Sequence, residues 1–494
     1  MLKLNDFLDG NWNMKNTKYI SWPVLGLMAF VNVIGFDDII YNFKNQGLGV
    51  ITTWVILFAL YVVPYGLMVG QLGSTFSKSG GGLSSWVRET SGDTLGYFTA
   101  WTYWAASIPY VVDTANSVVV AFGWLINGNN SMEEHMSNTM FALLTFLVFV
   151  IFILIQNRIK NSLQLLNVLG GGAMFIMTIL FVVLTVVNLT NGHAIASAPL
   201  HISTFTPKIN LHFFSTLGLL IYATSGSELV APYVTRMRNA KRDFPKSIIM
   251  LTVMAGFLTI FGSFSLGVFF NDHHLPVDLK MNGSYYAFDY VGNHIGLGHS
   301  MLFLFSIAQL LYMFALLALL LDAMTRMLIL DTGKRFMPKQ LLKLDHHGRP
   351  INGYILTSAL SAGILLMGVF LPDMNEIFNW LLNLNGIVSP YVTCWIFFAF
   401  MQVRKNSQKF KSDYVFIKND RAAYLVALWC FIITFVAATF GILPQDVPPT
   451  SFTYWQELIM NIATPGLLLA LGWVMPTIAV SYTHLRAHET ELHL

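Results

Sequence analysis

Twelve stretches of this chain are long and apolar enough to cross a membrane as helices, and nothing else in it constrains the fold so strongly. A bilayer core of roughly 30 Å takes about 20 mostly apolar residues in α-helix. Runs of that kind occupy 20–44, 48–72, 95–126, 138–156, 164–189, 212–236, 246–270, 298–321, 351–371, 376–402, 421–443 and 455–478. Hydrocarbon offers no partner to a backbone N–H or C=O, so such runs are expected as helices. Only 11% of the 494 residues are charged, against roughly 25% in a soluble domain. The fold class expected is therefore an all-α integral membrane protein of about twelve transmembrane helices, with 20–479 as one membrane domain.

Residues 1–19 form a polar N-terminal segment without the charged-then-apolar layout of a cleaved signal, so the first run is expected to be retained. Lys and Arg collect in cytoplasmic loops. With the N-terminus inside, 24 of the 28 basic residues fall on the cytoplasmic side, among them Arg236, Arg238, Lys241, Arg242, Arg404, Lys405, Lys409 and Arg421. Lys44, Lys208 and Lys280 fall opposite, and Arg486 is set aside. This asymmetry predicts an even number of spans with both ends cytoplasmic, in a cytoplasmic (inner) membrane. Residues 480–494 are expected to be a non-native tail, because VSYTHLRAHET resembles the in-frame translation of a sequencing adapter. His484, His488 and His493 are accordingly not read as a metal site. Cys394 and Cys430 lie in separate apolar runs and show no metal or disulfide spacing. No cofactor, metal or nucleic acid is expected.

Two spans are interrupted near their middle. The first carries Asn32-Val33-Ile34-Gly35-Phe36-Asp37-Asp38, and the sixth carries Thr224-Ser225-Gly226-Ser227-Glu228 with Pro232 one turn on. A carboxylate at that depth costs about 2.5–3.5 kcal/mol on insertion scales, and irregular backbone there must be buried in protein or line a cavity. Interrupted helices in corresponding positions point to a transporter's midplane site. Unwound backbone leaves N–H groups at one half-helix end and carbonyls at the other, which suit a carboxylate and an ammonium. The candidate substrate-binding residues are Val33, Ile34, Gly35, Phe36 and Asp37, with Tyr222, Ser225, Gly226 and Ser227. Close packing by the glycines and helix capping by Asp37 and Asp38 are the alternatives.

These residues also carry a resemblance. Gly226-Ser227-Glu228 through Arg238-Asn239-Ala240-Lys241-Arg242-Asp243-Phe244-Pro245 resembles the sixth-helix signature of the amino acid–polyamine–organocation superfamily. Gln71-Leu72-Gly73-Ser74 with Ser79 to Leu83 and Trp86 resembles its second-to-third-helix loop. Arg326 to Met337-Pro338 resembles the end of its eighth helix. The look is nearest to the glutamate–GABA antiporter branch. The resemblance implies a leucine-transporter-type fold: two inverted five-helix repeats, 20–189 and 212–402, plus two extra helices in 421–479. It implies alternating access around broken helices one and six. The chain departs from the pattern at Ala240 (usually Pro) and Gln71 (often Glu), and no basic residue lies between Lys160 and Lys208.

Among single residues, Glu228 and Asp113 are the candidates for coupling or gating, each with a buried structural role as the alternative. Tyr222 is a candidate lid. Asp322 and Arg326 are spaced for an i,i+4 ion pair, and Gly170 to Gly172 for close helix contact. The glycines at 80–82 suit a hinge or re-entrant turn. The pairs His273-His274 and His346-His347 are read as loop residues. The leading reading is a permease that exchanges amino acids or related amines. Proton-coupled uptake of the same solutes is the alternative, and the chain is not expected to be an enzyme, since no nucleophile, base and oxyanion donors converge. A transport-fold receptor is the remaining class.

Overall fold

The computed structural model describes residues 19–79, 82–156, 162–330, 336–343, 351–445 and 447–491. At 133, 134, 156, 162, 326, 330 and 480–491 it describes the backbone alone. Gly80, Gly81, His346, His347 and the side chain of Arg326 thus lie outside the described residues, as do residues 1–18 and the side chains of 480–494.

Among the described residues the regular structure is all helix, without strands. Eleven helical stretches are long and apolar enough to cross a membrane, and the first, Trp22–Thr75, is 54 residues long. It holds two crossings. Helices α1 (Trp22–Val33) and α2 (Phe36–Gln46) lead across, and α3 (Val50–Leu57) and α4 (Val63–Thr75) return. The turn is made at Gly47, whose φ of +57° suits glycine.

Contacts with a later helix, α11 (Ala240–Phe269), show the reversal. On the way across, Gly26 faces Met250, Ile39 faces Gly262 and Leu48 faces Gly267. On the way back, Phe58 faces Gly256, Gly66 faces Thr252 and Gly73 faces Phe244. The two paths run along one helix in opposite directions, which gives twelve crossings among the described residues, as the apolar runs predict.

The π-turn at Phe58–Val62 between α3 and α4 has a local cause. Pro64 has no N–H to give the carbonyl of Leu60, and that carbonyl accepts the Trp429 indole N–H instead at 3.2 Å. Next come α5 (Leu83–Ser91), α6 (Asp93–Asn127), the short α7 (Ser131–His135), α8 (Asn138–Gln156) and α9 (Ser162–Thr190). The sixth span is α10 (Leu211–Tyr222) followed by a 3-10 helix over Ser227–Arg236. Then follow α11, α12 (Leu279–His294), α13 (Ser300–Leu330), α14 (Ile351–Gly368), α15 (Met374–Lys405), α16 (Asp420–Gly441) and α17 (Phe452–Glu491). Spans five apart pack together: the first on the sixth, the second on the seventh, the third on the eighth.

Some boundaries differ from the apolar runs. α11 starts at Ala240 rather than 246; Pro245 has no N–H for the Lys241 carbonyl, which accepts from Ser74 Oγ at 2.9 Å instead. α13 runs on to Leu330 rather than 321. α5 and α12 are helices that no long apolar run announces: α12 mixes Lys280, Asn282 and Asp289 with buried Leu279, Tyr285 and Phe288. The glycines of the fifth span behave unequally. A Cβ on Gly170 would lie 2.6 Å from the carbonyl oxygen of Leu311, and one on Gly171 would lie 2.9 Å from Val31, but Gly172 faces open space. Close contact therefore holds for two of the three.

Candidate functional site

Both interruptions are present and they touch. In the first span α1 ends at Val33, Ile34 and Gly35 are extended, and α2 begins at Phe36. In the sixth, α10 ends at Tyr222 and Gly226 takes φ +105° before the 3-10 helix. A Cβ at Gly226 would lie 2.3 Å from the Asn32 side-chain nitrogen. Glycine is required there by both conformation and space. Asn32 donates its amide to the Gly226 carbonyl at 2.8 Å, and its own backbone carbonyl accepts the Tyr110 hydroxyl at 3.1 Å.

The N–H groups of the second break are not free, contrary to the expectation from its sequence. Gly226 and Ser227 donate to the Tyr65 hydroxyl oxygen at 3.0 and 3.2 Å. Tyr65 in turn donates to Glu228 Oε2, and Tyr103 donates to Glu228 Oε1 at 2.7 Å. Tyr65 thus caps the break while Glu228 orients Tyr65. Tyr65, Tyr103, Ser227 and Glu228 are all buried.

In the first break, Asp38 accepts from the Gly35 N–H at 2.7 Å, the local capping bond. Asp37 accepts from Ser284 Oγ on α12 and from Gln309 Nε2 on α13. Asp113 accepts from Asn385 Nδ2 at 3.1 Å, joining α6 to α15. Among the described residues, none of Asp37, Asp38, Asp113 and Glu228 has a basic side chain within ion-pair distance. Hydroxyl and amide donors hold them instead.

Two small cavities, each about 30 Å³, meet at Tyr110 and Tyr222. One lies against the breaks and is bounded by Asn32, Tyr103, Ser225, Gly226 and Asn385. The other is acidic and is bounded by Gly35, Asp37, Asp38, Asp113 and Tyr312. The Tyr110 and Tyr222 rings pack edge-on at 5.4 Å and separate the two. A space of that size holds little more than one or two waters, so neither cavity as it stands takes a larger solute. Asn32 Oδ1, Asp113 Oδ1, Ser227 Oγ and Asn385 Oδ1 are buried without a partner among the described residues. Buried polar atoms are nearly always bonded, so these four leave bonding capacity unused.

Of the residues singled out by sequence, Gly35, Asp37, Asp113, Tyr222, Ser225 and Gly226 line these cavities. Glu228 and Ser227 lie beside them in the Tyr65 network. Val33, Ile34 and Phe36 are buried in the core and do not line either cavity. Asp322 accepts from Tyr233 at 2.7 Å. Sequence reasoning missed Tyr65, Tyr103, Tyr110, Tyr312, Gln309 and Asn385. Their signal was polar groups inside apolar runs, which does not say which faces converge.

Known proteins share this chain's sequence pattern and its fold. The family model described as amino acid permease matches residues 20–466. The aspartate/glutamate permease AcaP of Lactococcus lactis subsp. cremoris is 37% identical over 94% of this chain and 96% of its own length. The probable agmatine/putrescine antiporter AguD of Lactococcus lactis subsp. lactis is 23% identical over 81% and 83%. A crystal structure of a mutant Eremococcus coleocola manganese transporter superposes with a TM-score of 0.61 at 12% identity, over 94% and 95% of the two chains. That last likeness is one of fold.

Proposed function

Because this chain belongs to the amino acid permease family, we propose that it carries amino acids across the cytoplasmic membrane by exchange, with alternating access around the breaks in spans one and six. The observation that carries this reading is the contact of the two breaks, Asn32 to Gly226 at 2.8 Å, beside buried polar atoms without partners among the described residues. A zwitterionic solute offers both donors and acceptors to such atoms. The basic residues, 24 against 3 across the membrane, support cytoplasmic termini. AcaP's name puts aspartate and glutamate first among the substrates to try.

The test is uptake of a labelled amino-acid panel into proteoliposomes, with and without counter-substrate inside. Exchange predicts uptake that depends on the internal solute. Equal uptake into empty vesicles rules exchange out. Proton coupling is the second reading, and it rests on four carboxylates at membrane depth that no basic side chain neutralises among the described residues.

A further inference from the structure

A second site lies far from the breaks, where α15 ends and α16 begins. A cleft of about 680 Å³ is lined by Arg404, Lys405, Lys409, Arg421 and Asp420. Arg404 is buried and fixed: its guanidinium donates to the Ile417 carbonyl, and it lies 3.0 Å from Asp420 Oδ1. Its Nε is buried with no partner among the described residues. Asp420 is further held by Ser407 at 2.7 Å. Lys405 and Arg421 have no carboxylate within ion-pair distance among the described residues. Four cations therefore face one carboxylate that is already engaged.

The cleft opens onto apolar surface. Leu425, Trp429, Ile432 and Val436, spaced at i, i+4, i+7 and i+11, are all exposed along α16. At 1.5 Å per residue this ridge runs roughly 16 Å, about one leaflet of hydrocarbon. The loop beyond α15 packs on the end of the second span, with Phe410 and Phe76 rings 5.7 Å apart. Lys241 reaches Asp413 at 2.8 Å. The cleft is thus on the basic-rich side of the membrane domain.

We propose that this cleft binds the phosphate headgroup of an anionic phospholipid, whose acyl chain lies along the α16 ridge. Cationic pockets at helix ends on the basic side attract anionic lipid, and a ridge at its foot distinguishes lipid from a free anion. The test is native mass spectrometry of the purified full chain titrated with dioleoylphosphatidylglycerol, dioleoylphosphatidylcholine or inorganic phosphate. The expected result is retention of phosphatidylglycerol, with little phosphatidylcholine and no displacement by phosphate. Each charge near a membrane surface is worth about fivefold in binding, so Lys405→Gln/Lys409→Gln/Arg421→Gln is expected to weaken retention on the order of 100-fold. Lys405→Arg/Lys409→Arg, which keeps the charge, should retain it. Equal retention of both lipids, displacement by phosphate, or unchanged retention in the Gln variant overturns the proposal. Should the triple variant unfold, the single Lys405→Gln and Lys409→Gln variants read the same titration, and no loss in either overturns it too.

Discussion

Tyr65 and Glu228 are joined by a buried hydrogen bond between the second and sixth spans, and the same tyrosine oxygen accepts the N–H groups of Gly226 and Ser227. One side chain therefore closes the backbone of a broken helix and reports to a carboxylate. Tyr65→Phe leaves three buried groups without a partner, each at a cost of about 1–3 kcal/mol. Thermal unfolding in detergent should fall by several degrees and uptake should be lost. Tyr103→Phe removes one donor and should cost less; an equal loss would mean that the capping of Gly226 and Ser227 contributes nothing.

Gly226→Ala places a side chain at φ +105° and 2.3 Å from Asn32. Strain of this kind costs about 1–3 kcal/mol before the clash. Protein should still reach the membrane, but uptake should fall below roughly a tenth of wild type in proteoliposomes, about 1.4 kcal/mol or more of lost function. Normal uptake would mean that the contact between the breaks is dispensable.

Gly170→Val should destabilise the fold by overpacking, typically about 1–3 kcal/mol, because its Cβ meets the Leu311 carbonyl. Gly172→Ala, with open space at that position, should leave the unfolding temperature unchanged. The pair of measurements separates packing from a general intolerance of the fifth span.

Glu228→Gln keeps the size of the side chain and one acceptor for Tyr65 or Tyr103. Under proton coupling, uptake by this variant should lose its pH dependence while counter-substrate exchange persists. A wild-type profile in this variant removes Glu228 from any proton step.

The long apolar runs determined the membrane class and the number of crossings, because hydrocarbon tolerates little besides apolar helix. The breaks were legible as well, because Gly35 near Asp37 and Gly226 near Glu228 pair a glycine with a carboxylate inside an apolar run. What sequence could not determine was which side chains meet across spans. Tyr65 and Gly226 are 161 positions apart, and Asp113 and Asn385 are 272 apart. Periodicity within one helix carries no information about the rotation of its neighbour. The sequence therefore located the breaks and their carboxylates, and tertiary packing alone decided that a tyrosine caps one break and that Asn32 ties the two together.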